Sequence, residues 1–217
     1  MRRRHFGLML IAATLLRPAA GRAGGAADSA GGFIRQVGHD LPGVVGDAAS
    51  EAEKRRRLEP FLARVVDVAA VAQFCLGRYW RQATPAQQQD FRGLFLRVLA
   101  NAVASRIGAY GAGTGPLSTS ASTSPPTSQV TVLAELDGPD GIRVPTIVQT
   151  GTAAPARVTW LVERAPAQSG AGAFRILDVE AEGMSLRLSL RSDYTSFISR
   201  NGGNLDLFLR TLRAHTP

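Results

Sequence analysis

The residues that could act as acid, base, nucleophile or metal ligand are few and far apart. Beyond the first 27 residues only two histidines remain, His39 and His215, and neither has a second His, a Cys or paired carboxylates at ligand spacing. Zinc or facial-triad iron therefore has no ligand set, and both histidines read as surface residues. Gly183-Met184-Ser185-Leu186-Arg187 is half of a nucleophile elbow. Its closing glycine is absent, and the strand before it belongs to an antiparallel pattern, the wrong setting for that turn. Asp67 and Asp178 are candidate acids or bases if buried. Such carboxylates more often cap helices or pair with arginine, and Arg78 and Arg81 are the candidate partners. Gly111, Gly113 and Gly115 make no phosphate-binding fingerprint, because the third spacing is wrong and no strand precedes them. Cys75, the only cysteine, cannot form an internal disulfide and reads as a small buried hydrophobe. What remains is apolar. Phe74, Tyr79 and Trp80 cluster at a helix end, and Trp160 and Phe174 sit on strands. Rings in such positions fill a core or wall a cavity, and sequence pattern does not separate the two.

The elements that would position these residues follow from hydrophobic spacing. Residues 29–47 suit a short amphipathic helix broken near Pro42. Leu58, Phe61, Leu62, Val65, Val68, Ala69 and Ala72 recur at three- and four-residue steps and predict one helix over 51–75. The Lys54-Arg55-Arg56-Arg57 run near its start, beside Glu51, Glu53 and Glu59, reads as a solvated mixed-charge face, with a docking patch for a membrane complex or anionic headgroups as the sharper reading. Thr84-Pro85-Ala86-Gln87 has a capping residue, a proline suited to the first helical position and a glutamine able to reach back. The helix it starts carries a wide stripe from Phe91 to Tyr110. Residues 111–128 are Gly, Ser, Thr and Pro, a flexible connection. Four strands follow, over 129–136, 142–149, 157–163 and 174–179, with Pro145 confining the second to an edge or a bulge. Short connections imply an antiparallel meander with one buried face. A helical tail over 190–214 is interrupted at Asn201-Gly202-Gly203, and Asn204 can cap its last helix.

The first 27 residues read as a signal peptide. Arg2-Arg3-Arg4 is a positive start, and Phe6–Leu16 is an apolar run too short to span a bilayer. Small residues then offer cleavage after Ala23 or Ala26. The Arg3-Arg4 pair also permits twin-arginine export, and ordinary secretion is the favoured reading. Five of the 25 basic residues leave with this segment and none of the 17 acidic ones does, so the net charge falls from +8 to +3. Nucleic-acid binding thereby loses its main support. Residues 28–217 make one ordinary domain, large enough to enclose a ligand cavity.

Several fragments resemble one family in order and spacing. They are the Leu58–Asp67 region, Leu76-Gly77-Arg78-Tyr79-Trp80-Arg81, Gln87-Gln88 and Phe91, then Phe174-Arg175-Ile176-Leu177-Asp178-Val179, Glu182-Gly183-Met184-Ser185, Arg191-Ser192, Asn201-Gly202-Gly203 and Leu205-Asp206. Together they resemble the MlaC, or toluene-tolerance, family from about Phe33 to Leu212. Two features depart from its pattern: the long 111–128 segment, and Phe174 where tryptophan is common. The resemblance implies an α+β fold, with a curved four-stranded antiparallel sheet, similar to nuclear-transport-factor-like domains, packed with several α-helices around an apolar pocket. It implies a periplasmic phospholipid carrier with no catalysis, cofactor, metal or nucleic acid. Its partners would be an inner-membrane ABC transporter complex with a lipid-binding ring protein and an outer-membrane lipoprotein complex. A sister family that accompanies hopanoid biosynthesis shares much of the pattern, so a carrier of that or another lipid is the alternative. A non-enzymatic periplasmic interaction domain is the alternative of another class. On the lead reading the lipid-binding candidates are Tyr79, Trp80, Phe95, Leu99, Val144, Ile147, Trp160, Val162, Ile176 and Met184. Loading and release would involve helix 85–110 moving against the sheet.

Overall fold

The computed structural model describes residues 29–46, 48, 50–111, 128–150, 154–165 and 173–216, with the side chains of 106–111, 128 and 150 also left aside. The signal-peptide reading and most of the 111–128 connection lie outside the described residues, as do the side chains of Ile107 and Tyr110.

Each helix begins where a side chain can accept from its first free N–H groups. Helix α1, Ala30–Val45, is capped by Ser29, which accepts from Gly32 N at 3.0 Å. It runs through Pro42 rather than breaking there. The proline lies in the last turn, where its missing N–H removes a single ladder bond, and Gly46 N still donates to Pro42 O at 2.8 Å. Helix α2, Glu51–Val65, is capped by Ser50, and Lys54 and Arg57 pair with Glu51 and Glu53 along its surface. These pairs fit the mixed-charge reading of the basic run.

The single helix expected over 51–75 is two. Val66 takes extended geometry, Asp67 N donates to Ile176 O at 3.0 Å, and the Asp67 carboxylate caps α3, Val68–Leu76, through Ala70 N at 2.8 Å. Asp67 is thus a cap. Apolar periodicity continues across the break because both helices face one core, so spacing alone reads them as one. A 3-10 turn, Gly77–Arg81, leads to α4, Pro85–Gly111. Its start is the reciprocal box that the sequence suggests, with Gln87 N on Thr84 Oγ1 at 3.2 Å and Thr84 N on Gln87 Oε1 at 2.9 Å. Helix α5, Leu186–Arg200, begins four residues before the expected tail, on a Ser185 cap, and α6, Leu205–Ala214, begins on Asn204.

The sheet has six strands instead of four: β1 Ser128–Val132, β2 Leu136–Gly138, β3 Gly141–Thr150, β4 Ala156–Arg164, β5 Phe174–Ala181 and β6 Met184–Ser185. Its order is β1-β3-β4-β5-β6, with β2 also on β3, and every pairing is antiparallel. Two local features account for the extra strands. Between the pairs Val132↔Thr146 and Leu136↔Arg143, three residues oppose two, which splits the expected 129–136 strand. Pro145 is one of the opposed two, and its carbonyl accepts from Leu133 N at 2.9 Å. The N–H and C=O of a strand residue point the same way, so the donor that Pro145 lacks faces this bulge, and a proline stands in a strand paired on both sides. At the other edge Glu182 and Gly183 both have positive φ, 53° and 78°, the turn that folds a two-residue strand back on β5.

The helix with the broadest contact on the sheet is α1, against β1 and β3, rather than the expected 85–110 helix, while α5, α2 and α3 meet β5. Helix α4 packs chiefly on α2, with α3 and α6. Gly31 and Gly38, two turns apart, allow the close approach. A Cβ on Gly31 would fall 2.9 Å from Val132 Cγ1, and one on Gly38 would fall 2.4 Å from Val130 Cγ2. The Phe33 ring meets Phe174 on β5 at 6.1 Å. The free edge of β5 is covered by the α2–α3 corner, where Val66 bridges to Ile176.

Gly38→Ala should lower stability by about 1 kcal/mol, because overpacking costs about 1–3 kcal/mol and exceeds the gain of about 1 kcal/mol in helix propensity. Gly43→Ala on the same helix, where a Cβ meets nothing within 4 Å, should raise it. Denaturant midpoints of the two variants, moving in opposite directions, check the contact. Cys75 is fully buried, and burial, then the Asp178 charge, push its thiol up to about 12 against the opposing Arg187 and Arg191 charges. Only about one thiol in ten thousand is then ionised at pH 8. Disulfide-exchange labelling at pH 8 should be slow in the folded protein and immediate in guanidinium; stoichiometric labelling within minutes without denaturant would contradict this burial.

Candidate functional site

Period-two alternation and the strand register put one apolar set on the face that α1 covers. Opposed pairs Ile142↔Val162, Val144↔Trp160 and Thr146↔Val158 carry this face from β3 to β4, and Val162↔Ile176 and Trp160↔Val179 carry it to β5. Val144 and Val162 are fully buried, but Val130, Val132, Ile142, Val158, Trp160 and Val179 are only half-buried. A helix-facing wall that keeps this much apolar surface partly open is a surface on which an acyl chain can lie.

The same face holds one polar device. Trp160 Nε1 donates to Thr146 Oγ1 at 3.0 Å, and Thr146 Oγ1 donates to Val158 O at 2.8 Å. Thr146 is 1% exposed. The indole N–H, which would otherwise be an orphan donor against hydrocarbon, is thereby satisfied inside the wall. Sequence reasoning missed Thr146. Its signal is its place two residues after Val144 and two before Val148, the polar member of an apolar alternation.

The ten candidates do not form one wall. Val144, Trp160, Val162 and Ile176 share the helix-facing side of the sheet. Ile147, three residues from Val144, falls on the opposite face, because an odd step along a strand reverses the side chain. Met184 opposes Ala181, which opposes Val158, so it shares the face of Val158, but it stands in β6 at the sheet edge and is 68% exposed. Phe95 and Leu99 are buried on α4 within the helical part of the core, Phe95 against the Phe91 ring at 5.6 Å. Tyr79 and Trp80 are buried in the 3-10 turn. His39 and His215 are exposed, as their sequence settings suggest.

Asp178 is not paired with Arg78 or Arg81. Its carboxylate accepts from Val179 N at 2.8 Å, from Arg187 N at 3.0 Å and from the Ser185 hydroxyl, and it pairs with Arg187 Nε at 3.4 Å. The helix start at Leu186 brings Arg187 to it, whereas Arg78 and Arg81 project from the turn after α3. Ser185, the serine of the half-elbow, spends its hydroxyl on capping α5 and on Asp178. The one carboxylate it meets, Asp178, is already engaged by Val179 N, Arg187 N and the Arg187 guanidinium, and Ser185 has the geometry of a structural cap.

Two clefts lie on the helical side. One, of about 400 Å³, is lined by Gln73, Phe74, Gly77, Arg78, Trp80, Arg81 and Arg191. The other, of about 200 Å³, lies between α5 and α6 against Tyr194, Phe197, Phe208 and Leu212. Tyr194 meets the Phe91 and Phe208 rings at 5.9 and 5.1 Å, and burial pushes its phenol well above the usual range. The second cleft and Gln73 of the first carried no distinguishing signal in the sequence, and Arg191 was marked only as part of the Arg191-Ser192 fragment, with no role attached.

Among the described residues no cluster of three or more His, Cys, Asp and Glu side chains could hold a metal ion, and no helix is long and apolar enough to cross a membrane. A comparison with curated proteins finds no significant match. The fold is similar to that of a phospholipid-binding protein from Ralstonia solanacearum solved in complex with a phospholipid. The two share 18% identity and superpose with a TM-score of 0.64, over 87% of this chain and 97% of that one. The sequence model of the family described as MlaC protein matches residues 44–214. That match spans most of the chain, both halves of the fold and every fragment quoted above from Leu58 onward, and the chain therefore belongs to the MlaC family.

Proposed function

We propose that this protein is a periplasmic lipid carrier that holds phospholipid acyl chains against the helix-facing side of its sheet and moves them between membrane complexes. The observation that carries the reading is the half-buried apolar wall of Val130, Val132, Ile142, Val158, Trp160 and Val179 on the sheet face that α1 enters over β1 and β3. Membership of the MlaC family and the fold shared with a phospholipid-binding protein support lipid binding as the role, in preference to catalysis. Export on the N-terminal segment, delivery to an inner-membrane ABC transporter with its lipid-binding ring, and exchange with an outer-membrane lipoprotein complex belong to the same proposal.

The energetics suit a carrier. Each buried methylene contributes about 0.8 kcal/mol, so a sixteen-carbon chain represents about 12 kcal/mol against exposure to water. A bilayer supplies the same burial. A carrier that must load and unload therefore needs a wall that matches the bilayer, and aliphatic side chains with one internally satisfied indole do so. In this reading α1, held on the sheet through Gly31 and Gly38, is the element that moves for entry, in place of the 85–110 helix.

The protein purified from a bacterial periplasm should carry phospholipid visible by native mass spectrometry and identified after extraction. Trp160→Lys should remove it, because the charge would stand on the wall and Thr146 would lose its donor. Val162 is a poorer test, since it is fully buried and a charge there would unfold the sheet. A folded Trp160→Lys variant that retains stoichiometric phospholipid would overturn this wall, and a wild-type protein that neither carries lipid nor extracts it from vesicles would overturn the carrier reading. A disulfide between α1 and β1 should likewise stop transfer while leaving bound lipid in place.

A further inference from the structure

The cleft between α3, the 3-10 turn and α5 is a separate feature with its own chemistry. Three of its lining residues are arginines, Arg78, Arg81 and Arg191, and none is acidic. None of the three makes an ion pair among the described residues. Like charges gathered in one concavity repel each other, and they are ordinarily relieved by interleaved carboxylates. Here the nearby carboxylate, Asp178, is taken by Arg187.

Two of the arginines are instead held by neutral groups, and Arg81 is exposed beside them. Arg191 Nη1 donates to Phe74 O at 2.9 Å and its guanidinium lies 4.8 Å from the Phe74 ring centroid. Arg78 Nη2 donates to Tyr79 Oη at 2.8 Å and stacks on that ring at 4.9 Å, and this hydrogen bond draws the Tyr79 phenol down. Behind the cleft, Arg92 stacks on the Trp80 ring at 5.0 Å, and its buried Nε has no described partner. Each anchor uses one donor of a guanidinium that has five, so positioned N–H groups remain. Gly77 makes room for the arrangement. Its φ of +54° disfavours a side chain, and a Cβ there would fall 3.1 Å from Arg191 Nη2.

We propose that this cleft is an oxyanion site that binds a phosphate group, carried by a lipid headgroup or free in solution. Guanidinium forks match the paired oxygens of a phosphate, and the Phe74 and Trp80 rings screen the charges from water on one side. The site stands on the cleft alone, so it survives or fails independently of the acyl-chain wall on the sheet.

The test uses the protein as purified, at low salt, titrated calorimetrically with inorganic phosphate, with glycerol 3-phosphate and with an acidic peptide. Arg78→Gln/Arg81→Gln is the principal variant, since both side chains are exposed, neither caps a helix or makes an ion pair among the described residues, and a glutamine at 78 keeps an amide donor near Tyr79. Arg97→Gln/Arg210→Gln, two exposed changes on α4 and α6, is the charge-matched control. Saturable phosphate binding that weakens at least about tenfold in the double variant and is unchanged in the control is the expected result. Equal affinity for inorganic phosphate and glycerol 3-phosphate would assign the site to the free anion, and tighter binding of glycerol 3-phosphate would assign it to the headgroup. No saturable binding, binding indifferent to the double variant, or a preference for the acidic peptide over either phosphate would overturn the proposal. Lipid retention by the double variant, read in parallel, keeps this outcome distinct from that of the sheet wall.

Discussion

The half-buried carboxylate of Asp178 ties three parts of the molecule together. It stands on β5, accepts from the first turn of α5 through Arg187 N, receives the Ser185 hydroxyl and pairs with the Arg187 guanidinium. Arg187 lies 4.5 Å from the Phe74 ring centroid on α3, and its carbonyl accepts from Cys75. Strand, helix start and neighbouring helix are thus referenced to one charge. With a side chain only 10% exposed, it would be costly without these partners. The consequences spread in two directions. On one side β5 is held where the inner sheet wall passes from Trp160 to Val179. On the other side α5 is set so that Arg191 reaches the cleft while Arg187 is neutralised.

The two regions that result differ in chemistry as two ends of a phospholipid differ. The sheet wall is aliphatic, with its one indole N–H satisfied internally by Thr146. The helical cleft is cationic, with Arg78 and Arg191 held by a carbonyl, a phenol and aromatic faces. Neither needs a reactive group. The polar residues singled out in the sequence for possible catalysis are instead structural: Asp67 and Ser185 cap helices, and Asp178 joins them.

Much of the fold was legible from local rules. The capping box at Thr84 and Gln87, the cap at Asn204, the helix–sheet–helix order and the antiparallel pairing all follow from residue types over short spans, and the structure has them. The burial of Cys75 and the mixed-charge face at Lys54 and Arg57 were equally local. Errors arose where a distant partner decides. The break at Val66–Asp67 exists because Ile176, more than a hundred residues away, offers a carbonyl and a strand edge. The split of the first strand depends on its register with Pro145. Ile147 was placed with the wall because hydrophobicity alone does not give the face of a strand, and Met184, on the wall's face, stands exposed at a sheet edge that no local spacing reveals.

The amino-acid sequence by itself determined the caps, the periodicities, the scarcity of catalytic groups and the family pattern, because these rest on the chemistry and spacing of neighbouring residues. Only the tertiary structure decided that α1 covers the sheet through Gly31 and Gly38, that Trp160 finds Thr146, that Asp178 takes Arg187, and that Arg78, Arg81 and Arg191 converge without a carboxylate. Those relations join residues far apart in the chain. Their distances depend on how strands register and helices pack, which no local spacing encodes.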